Sequence, residues 1–193
     1  MKAKKILGIV VVALFTILAC LVVVSYFVPK NFAFPLETPQ TITVYNKDGV
    51  GQTIEKTDDR YDEIMKLYNK GFDVKFIEAF FQGKGFDKVT TIADVYKSLS
   101  ASSLKSTDKI FYIEFGYGSV QETKVVNSNV ELTNQQKEYK AVVIEVINSN
   151  NLMQVNAYIR DTTSPTQDTG SYVRYVSYAR QAKLFNYLTE AFA

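Results

Sequence analysis

The chain of 193 residues contains no histidine and no tryptophan, and its single cysteine is Cys20. Without histidine there is no Ser-His-Asp or Cys-His catalytic arrangement and no histidine metal ligand. Because no cysteine follows residue 20, the rest of the chain has no internal disulfide, thiol nucleophile or cysteine-ligated zinc. Carboxylate chemistry, Ser-Lys chemistry and hard-cation binding remain. We expect no cofactor, and the sequence assigns no catalytic or metal-binding residue.

Charge is also absent from residues 6–28. As a helix rising ~1.5 Å per residue, this apolar stretch is long enough to span a bilayer core of about 30 Å. Lys2, Lys4 and Lys5 precede it, so the positive-inside tendency makes residues 1–5 a cytoplasmic stub. The sequence therefore predicts a single-pass transmembrane helix in the cell membrane, with the lipid bilayer as its first partner and the C-terminal part extracytoplasmic.

Two alternatives for this segment stay open. The tetrapeptide ILAC, which ends at Cys20, resembles a bacterial lipobox, in which the cysteine is lipidated and becomes the new N-terminus. Val23 and Ser25 are compatible with signal peptidase cleavage and secretion. The apolar run continues past both positions, and Cys20 also fits as one more apolar residue of a membrane helix. A retained anchor is the preferred interpretation.

The part of the chain after the apolar stretch is close to electrically neutral. Three of the 22 Lys and Arg residues precede that stretch, which leaves 19 against 20 Asp and Glu. This balance offers no basic patch for nucleic acid. Three of the four prolines lie within residues 29–40, which predicts an extended tether. Residues 41–193 then form one extracytoplasmic domain, and its lack of disulfides suits a bacterial cell surface.

A hairpin and an amphipathic helix are predicted at the start of this domain. The segment TITVYNKDGVGQTIEK fits two strands joined by a turn in which Gly49 takes a positive φ and Ile42 faces Ile54. The segment TDDRYDEIMKLYNKG fits a helix that is capped by Thr57 or Asp58 and ends at Gly71. Its apolar positions follow the helical spacing i, i+3, i+4, i+7: Tyr61, Ile64, Met65 and Tyr68.

An antiparallel meander and a closing helix are predicted for the second half. KIFYIEFGYG places Phe111, Ile113 and Phe115 on one strand face, and SVQETKVV suggests a further strand. YKAVVIEVI and LMQVNAYIR are joined by NSNN, and pairing Ile147 with Leu152 puts their apolar residues on one face. The other face, with Glu145 and Tyr158, is expected to be wetter. The C-terminal segment begins as a strand and ends as a helix.

The remaining segments give weaker indications. FDVKFIEAFFQGKGF is interpreted as a helix, and TIADVYKSLSASS as a short helix followed by a polar loop. The order of elements contains few βαβ alternations. The predicted fold class is therefore α+β, with one antiparallel sheet, two or three packed helices and the N-terminal transmembrane helix before them.

Three short motifs match known catalytic or phosphate-binding patterns only in part. DTGS at 168–171 lacks a second copy, SSLK at 102–105 lacks its companion motifs, and GKGF at 83–86 lacks the remainder of a phosphate loop. Each is best interpreted as a turn or polar loop. Glu114 and Glu145 lie on comparable sheet faces and could meet, although a solvated sheet face is the simpler interpretation.

Three functional hypotheses follow. The leading one is a non-enzymatic, membrane-anchored domain that acts through a membrane or surface protein partner, as an interaction or regulatory domain of a bacterial surface. The second is a lipoprotein-type module that binds a small ligand or cell-wall fragment; a concave aromatic pocket with a few polar groups would favour it. The third is a carboxylate-based hydrolase, which requires two carboxyl groups about 5–10 Å apart in a cleft.

Overall fold

A computed structural model describes residues 2–27, 37–73, 90–96, 104–122, 127–128, 138–161 and 172–192. Contacts divide the chain into two units. The described part of the first is helix α1 (Lys2–Phe27), and the second is an α+β domain. The tether predicted at 29–40 lies mostly outside the described residues.

Helix α1 confirms the helical part of the N-terminal prediction but not the membrane span. Its described side chains are exposed on every side, as shown by Leu7 (65 %) and Phe15 (69 %). No helix in the described part of the chain is long and apolar enough to cross a membrane. The structure therefore does not support the membrane span predicted at 6–28.

The domain contains an antiparallel sheet and two described helices, as the predicted α+β class requires. Six antiparallel strands follow the order β2-β1-β4-β6-β7-β8: β1 (Thr41–Tyr45), β2 (Gly51–Glu55), β4 (Ile110–Glu122), β6 (Glu138–Ile147), β7 (Met153–Asp161) and β8 (Tyr172–Ala179). Beyond β8 lie β3 (Thr90–Tyr96), which is antiparallel to β8, and β5 (Asn127–Ser128), which is parallel to β3. The helices are α2 (Asp59–Gly71) and α3 (Ala182–Phe192).

The predicted hairpin and helix α2 are confirmed in detail. Ile42 pairs with Ile54, and Gly49 has a φ of 80°. Asp58 is the N-cap of α2, where its side chain accepts a hydrogen bond from the Arg60 amide. At the end of the helix, a Cβ on Gly71 would lie 2.8 Å from the carbonyl oxygen of Arg180. Glycine is therefore needed here for close backbone approach, and the Arg180 amide donates to the Gly71 carbonyl at 3.0 Å.

The main hydrophobic core lies between one face of the sheet and helices α2 and α3. Phe111, Ile113 and Phe115 are buried in it together, as their alternation along β4 predicted. They pack with buried residues of both helices, including Ile64 from α2 and Leu188 from α3. Edge-on contacts between aromatic rings join the helices to the sheet. The ring centroids of Tyr68 and Phe115 are 4.9 Å apart, and those of Phe111 and Phe185 are 5.2 Å apart.

The predicted register between β6 and β7 is wrong by two residues. The structure pairs Ile144 with Ala157, whereas the tight NSNN turn required Ile144 beside Val155. The connection is longer because it caps helix α3: the Ser149 carbonyl accepts hydrogen bonds from the amides of Gln181 (3.2 Å) and Ala182 (3.1 Å). A shift of two residues keeps the same face inward, so Val155 and Ala157 are still buried.

Three further predictions meet different outcomes. TIADVYKSLSASS was expected to begin as a helix, but its first six residues lie in strand β3, which pairs with β8, and the rest lies outside the described residues. Of SVQETKVV, the described residues 119–122 continue β4, with a register irregularity between Gly116 and Gln121, and the remainder lies outside the described residues. The C-terminal strand followed by a helix is confirmed by β8 and α3. The helix proposed for FDVKFIEAFFQGKGF lies almost entirely outside the described residues.

Candidate functional site

A cavity of about 380 Å³ lies where the β1–β2 turn, the segment before β4 and helix α3 meet. Its floor is apolar and consists of Phe111, Phe185 and Phe192, with Thr189 beside them. Its rim is polar and comprises Asn46, Lys47, Asp48, Thr107 and Asp108. We call this feature the phenylalanine cavity. Its size and its apolar floor with a few polar groups are typical of a small-ligand site.

The floor follows from the periodicity of two elements. Phe111 begins the inward-facing row of β4 and is 5 % exposed. On α3, Phe185, Thr189 and Phe192 follow the spacing i, i+4, i+7 and so lie on one side of the helix. Phe192, in the last turn of α3, also carries the Arg60 guanidinium 5.1 Å from its ring centroid. Helix α3 therefore contributes Phe185, Thr189 and Phe192 to the lining of the cavity, and Phe192 is half-buried.

One part of the rim is a turn fixed by Asn46. The Asn46 side-chain oxygen accepts hydrogen bonds from the amides of Asp48 (3.0 Å) and Val50 (2.9 Å). The positive φ of Gly49 closes the turn, and its amide donates to the Asn46 carbonyl at 3.1 Å. Because Asn46 and the backbone hold the turn, its conformation does not depend on the charged side chains of Lys47 and Asp48, which lie at the mouth of the cavity.

The segment before β4 forms the other part of the rim and is tied to the same turn. The Ser106 amide donates to the Asn46 carbonyl at 3.0 Å, and the Ser106 hydroxyl donates to the Tyr45 carbonyl. An ion pair of 2.6 Å between Lys47 Nζ and Asp108 Oδ1 then joins the two parts. This hydrogen-bonded contact with the Lys47 ammonium lowers the pKa of Asp108. The rim is thus built before any ligand arrives.

The two carboxylates singled out from the sequence lie on the opposite face of the sheet. Glu145 is only 8 % exposed, and its two oxygens accept hydrogen bonds from Tyr158 Oη (2.7 Å) and Asn156 Nδ2 (2.6 Å). Burial, followed by the charge of Glu145, raises the pKa of Tyr112. Glu114 accepts a hydrogen bond from Tyr45 Oη at 2.9 Å.

This second face was expected to be wetter, and the structure confirms this in part: Gln154 is exposed and Asn156 half-buried, whereas Glu145 and Tyr158 are buried. Tyr45, Leu104, Val143 and Tyr158 form a second buried cluster there, against which Tyr112 packs. Leu104 is contributed by the segment before β4, which sequence periodicity could not place on this face. Buried Glu145 therefore accepts hydrogen bonds from a tyrosine and an asparagine, and half-buried Glu114 accepts one from a tyrosine. These hydrogen bonds hold side chains in place on this sheet face, beneath the segment before β4.

The remaining sequence candidates do not gather at either place. DTGS (168–171) and GKGF (83–86) lie outside the described residues. Of SSLK (102–105), Leu104 is buried and Lys105 exposed, while both serines lie outside the described residues. Cys20, the alternative lipidation site, is exposed on α1. The part of the chain that the structure describes contains no group of three or more Asp, Glu or Cys placed to hold a metal ion.

Sequence reasoning missed the phenylalanine cavity, although it identified its parts. The sequence predicts a hairpin connection around Gly49 and places Phe111 on one strand face with Ile113 and Phe115. The cavity exists only because β4 and α3, 70 or so positions apart in the chain, bring Phe111 and Phe185 into contact. No family model, curated protein or solved structure matches this chain.

Proposed function

We propose that this chain is a binding protein whose phenylalanine cavity accepts the apolar group of a small ligand or of a partner's side chain. The observation that supports the proposal is the cavity itself, with three phenylalanine side chains beneath a polar rim. An apolar group that binds there is transferred from water to a preformed apolar surface, and this transfer is favourable. The turn at Asn46 and the segment at Ser106 are hydrogen-bonded to one another, so little ordering is needed on binding.

Binding without catalysis is part of the same proposal. A carboxylate hydrolase needs one acid and one base facing a substrate. Both oxygens of Glu145 already accept hydrogen bonds, and Glu114 accepts one from Tyr45. These contacts favour a structural role for the two glutamates. The acids of the rim, Asp48 and Asp108, flank an apolar floor on which a ligand can rest.

We further propose that helix α1 holds this domain at the cell membrane, with the domain extracytoplasmic. The support is the absence of charge from residues 6–28 and the three lysines that precede them. A helix that is apolar all round is stable only when another apolar medium surrounds it, and its described side chains are exposed. The lipid bilayer supplies such a medium, and the cavity would then meet ligands at a bacterial surface.

The cavity is tested with a neutral aromatic ligand. The full chain, isotope-labelled and in detergent micelles, is titrated with 2-phenylethanol while its amide resonances are recorded by NMR. We expect saturable shifts at Asp48 and Thr189. Phe192→Ala should weaken these shifts because it removes part of the floor, whereas Val120→Ala, an exposed side chain outside the cavity, should leave them unchanged. Shifts that do not saturate, or that Phe192→Ala leaves intact, would contradict the proposal.

A further inference from the structure

The rim of the phenylalanine cavity carries an unbalanced negative charge. Three charged side chains line it: Lys47, Asp48 and Asp108. Lys47 and Asp108 neutralise one another in their 2.6 Å ion pair. Asp48 takes part in no ion pair among the described side chains. The formal charge that a ligand meets at the mouth is therefore that of one carboxylate.

The cation that contacts the floor, Arg60, is already paired with a carboxylate. Arg60 stacks on Phe192, but its guanidinium is held by Asp58, with Nη2 2.6 Å from Oδ2 and Nε 3.0 Å from Oδ1. This bidentate pair is electrically neutral as a unit. The negative charge of Asp48 therefore stays available to a ligand.

The turn holds the backbone of Asp48 in place, whereas the carboxylate of Asp48 is not held by a cation in the described part of the chain. Its amide is bound by Asn46 Oδ1, inside a turn that Gly49 closes. Its carboxylate is exposed at the edge of the apolar floor. A carboxylate beside aromatic rings matches a ligand that has a positive group attached to an apolar one.

Building on the proposed function, we propose that the cavity selects ligands in which an ammonium or guanidinium group is attached to an aromatic or aliphatic group. The apolar group lies on Phe111, Phe185 and Phe192, and the cation lies against Asp48. Free amines and peptides with a basic residue beside an apolar one share this chemistry. The Lys47–Asp108 pair is exposed, at 67 % and 87 %, so it is weak and a ligand cation can also approach Asp108.

The test compares three phenyl compounds that differ in charge: 2-phenylethylamine (cation), 2-phenylethanol (neutral) and 3-phenylpropionate (anion). Each is titrated into the full chain under the conditions above, at low ionic strength. We expect the amine to bind about threefold more tightly than the alcohol, and the anion to bind more weakly than both. The difference is small because the charges involved are exposed to solvent. Added salt should reduce the difference. Equal binding of all three overturns the inference but leaves the proposed function intact; no binding of any compound overturns both.

Two variants locate the charge that discriminates. Asp48→Asn keeps the turn, whose hydrogen bonds use the Asp48 backbone, and should abolish the preference for the amine. Lys47→Met releases Asp108 and should increase the preference about threefold. Because the two substitutions are expected to change the preference for the amine in opposite directions, a general effect on folding does not explain both results. If neither variant changes the order of affinities, Asp48 and Asp108 do not set the selectivity and the inference fails.

A pair of capped dipeptides separates the two sources of the ligand. Acetyl-Phe-Lys-amide and acetyl-Phe-Glu-amide have the same apolar side chain and opposite charges. Tighter binding of the lysine peptide than of 2-phenylethylamine assigns the cavity to a peptide or protein partner. Tighter binding of the free amine assigns it to a small molecule. A preference for the glutamate peptide would contradict the inference.

Discussion

The Tyr158 hydroxyl donates a hydrogen bond to Glu145 Oε1 at 2.7 Å, and both side chains are more than nine-tenths buried. The two residues belong to neighbouring strands, β7 and β6. Asn156 Nδ2 donates a further hydrogen bond to the same carboxylate at 2.6 Å. A buried charge of this kind is stabilised by its donors, so each donor contributes more than a neutral hydrogen bond does.

Removing one donor tests this network. Tyr158→Phe keeps the ring but deletes the hydroxyl, and we expect it to lower the free energy of unfolding by about 1.5–3 kcal/mol. Urea titration followed by circular dichroism gives the value. Tyr187→Phe is the matched control, because Tyr187 is only partly buried on α3. An effect of Tyr158→Phe no larger than that of the control would contradict a stabilising role for the network.

For two other tyrosines, Tyr68 and Tyr61, substitution by phenylalanine is expected to have opposite effects on the stability of the domain. The Tyr68 hydroxyl is buried and has no hydrogen-bond partner among the described residues, and burial raises the pKa of Tyr68 well above its usual value. Tyr61 lies earlier on the same helix, α2, and its hydroxyl donates a hydrogen bond to the Pro39 carbonyl. A buried hydroxyl without a partner costs about 1–3 kcal/mol, whereas a satisfied one contributes about 1 kcal/mol.

We therefore expect Tyr68→Phe to stabilise the domain by about 1 kcal/mol and Tyr61→Phe to destabilise it by about as much. Thermal and urea unfolding of both variants, measured side by side, check the prediction. Because both residues lie on the buried side of α2, each serves as the control for the other. A loss of stability in both variants would show that the Tyr68 hydroxyl is hydrogen-bonded.

The N-cap of α2 predicts a pH dependence at the acid end. Hydrogen bonds from the Arg60 side chain and amide lower the pKa of Asp58 from 3.8 to about 2. Because the pKa is lower in the folded state, the contribution of Asp58 is complete above the unfolded value and is lost as the pH falls from about 4 to about 2. Protonation weakens both the cap and the pair with Arg60.

Asp58→Asn keeps a side-chain oxygen for the cap but does not titrate. We expect the variant to be less stable than wild type at pH 6 and to approach it at pH 2, so that the two curves of unfolding midpoint against pH converge. Asp59→Asn, with an exposed side chain at the next position, should run parallel to wild type. Parallel curves for Asp58→Asn would show that the Arg60 contacts do not form in solution.

Local signals in the sequence predicted local structure well. The turn around Gly49, the cap at Asp58 and the buried row of α2 are each determined by residues within one or two turns of one another. Alternation along β4 likewise predicted which face enters the core. These features depend on backbone conformation and side-chain periodicity, which the sequence displays directly.

Features that depend on distant partners could not be predicted. The β6–β7 register depends on Ser149, whose carbonyl caps α3 some thirty positions later. The buried state of Glu145 depends on a covering segment that contains Leu104, and the cavity depends on contact between β4 and α3. In each case an apolar or polar pattern was identified correctly, but the partner that decides its environment comes from elsewhere in the chain.

The proposed membrane attachment predicts the mass of the native protein. The chain is extracted with detergent from the membranes of a bacterial host, and its intact mass is measured. We expect a species that retains the residues before Cys20, because α1 includes Cys20 in its interior and continues to Phe27. Cys20→Ala is the matched variant: it preserves an apolar helix, so the protein should stay in the membrane fraction with unchanged processing. A mass that begins at Cys20 and includes lipid, lost in Cys20→Ala, would instead establish a lipoprotein, and a lipid-free mass that begins near Ser25 would establish secretion.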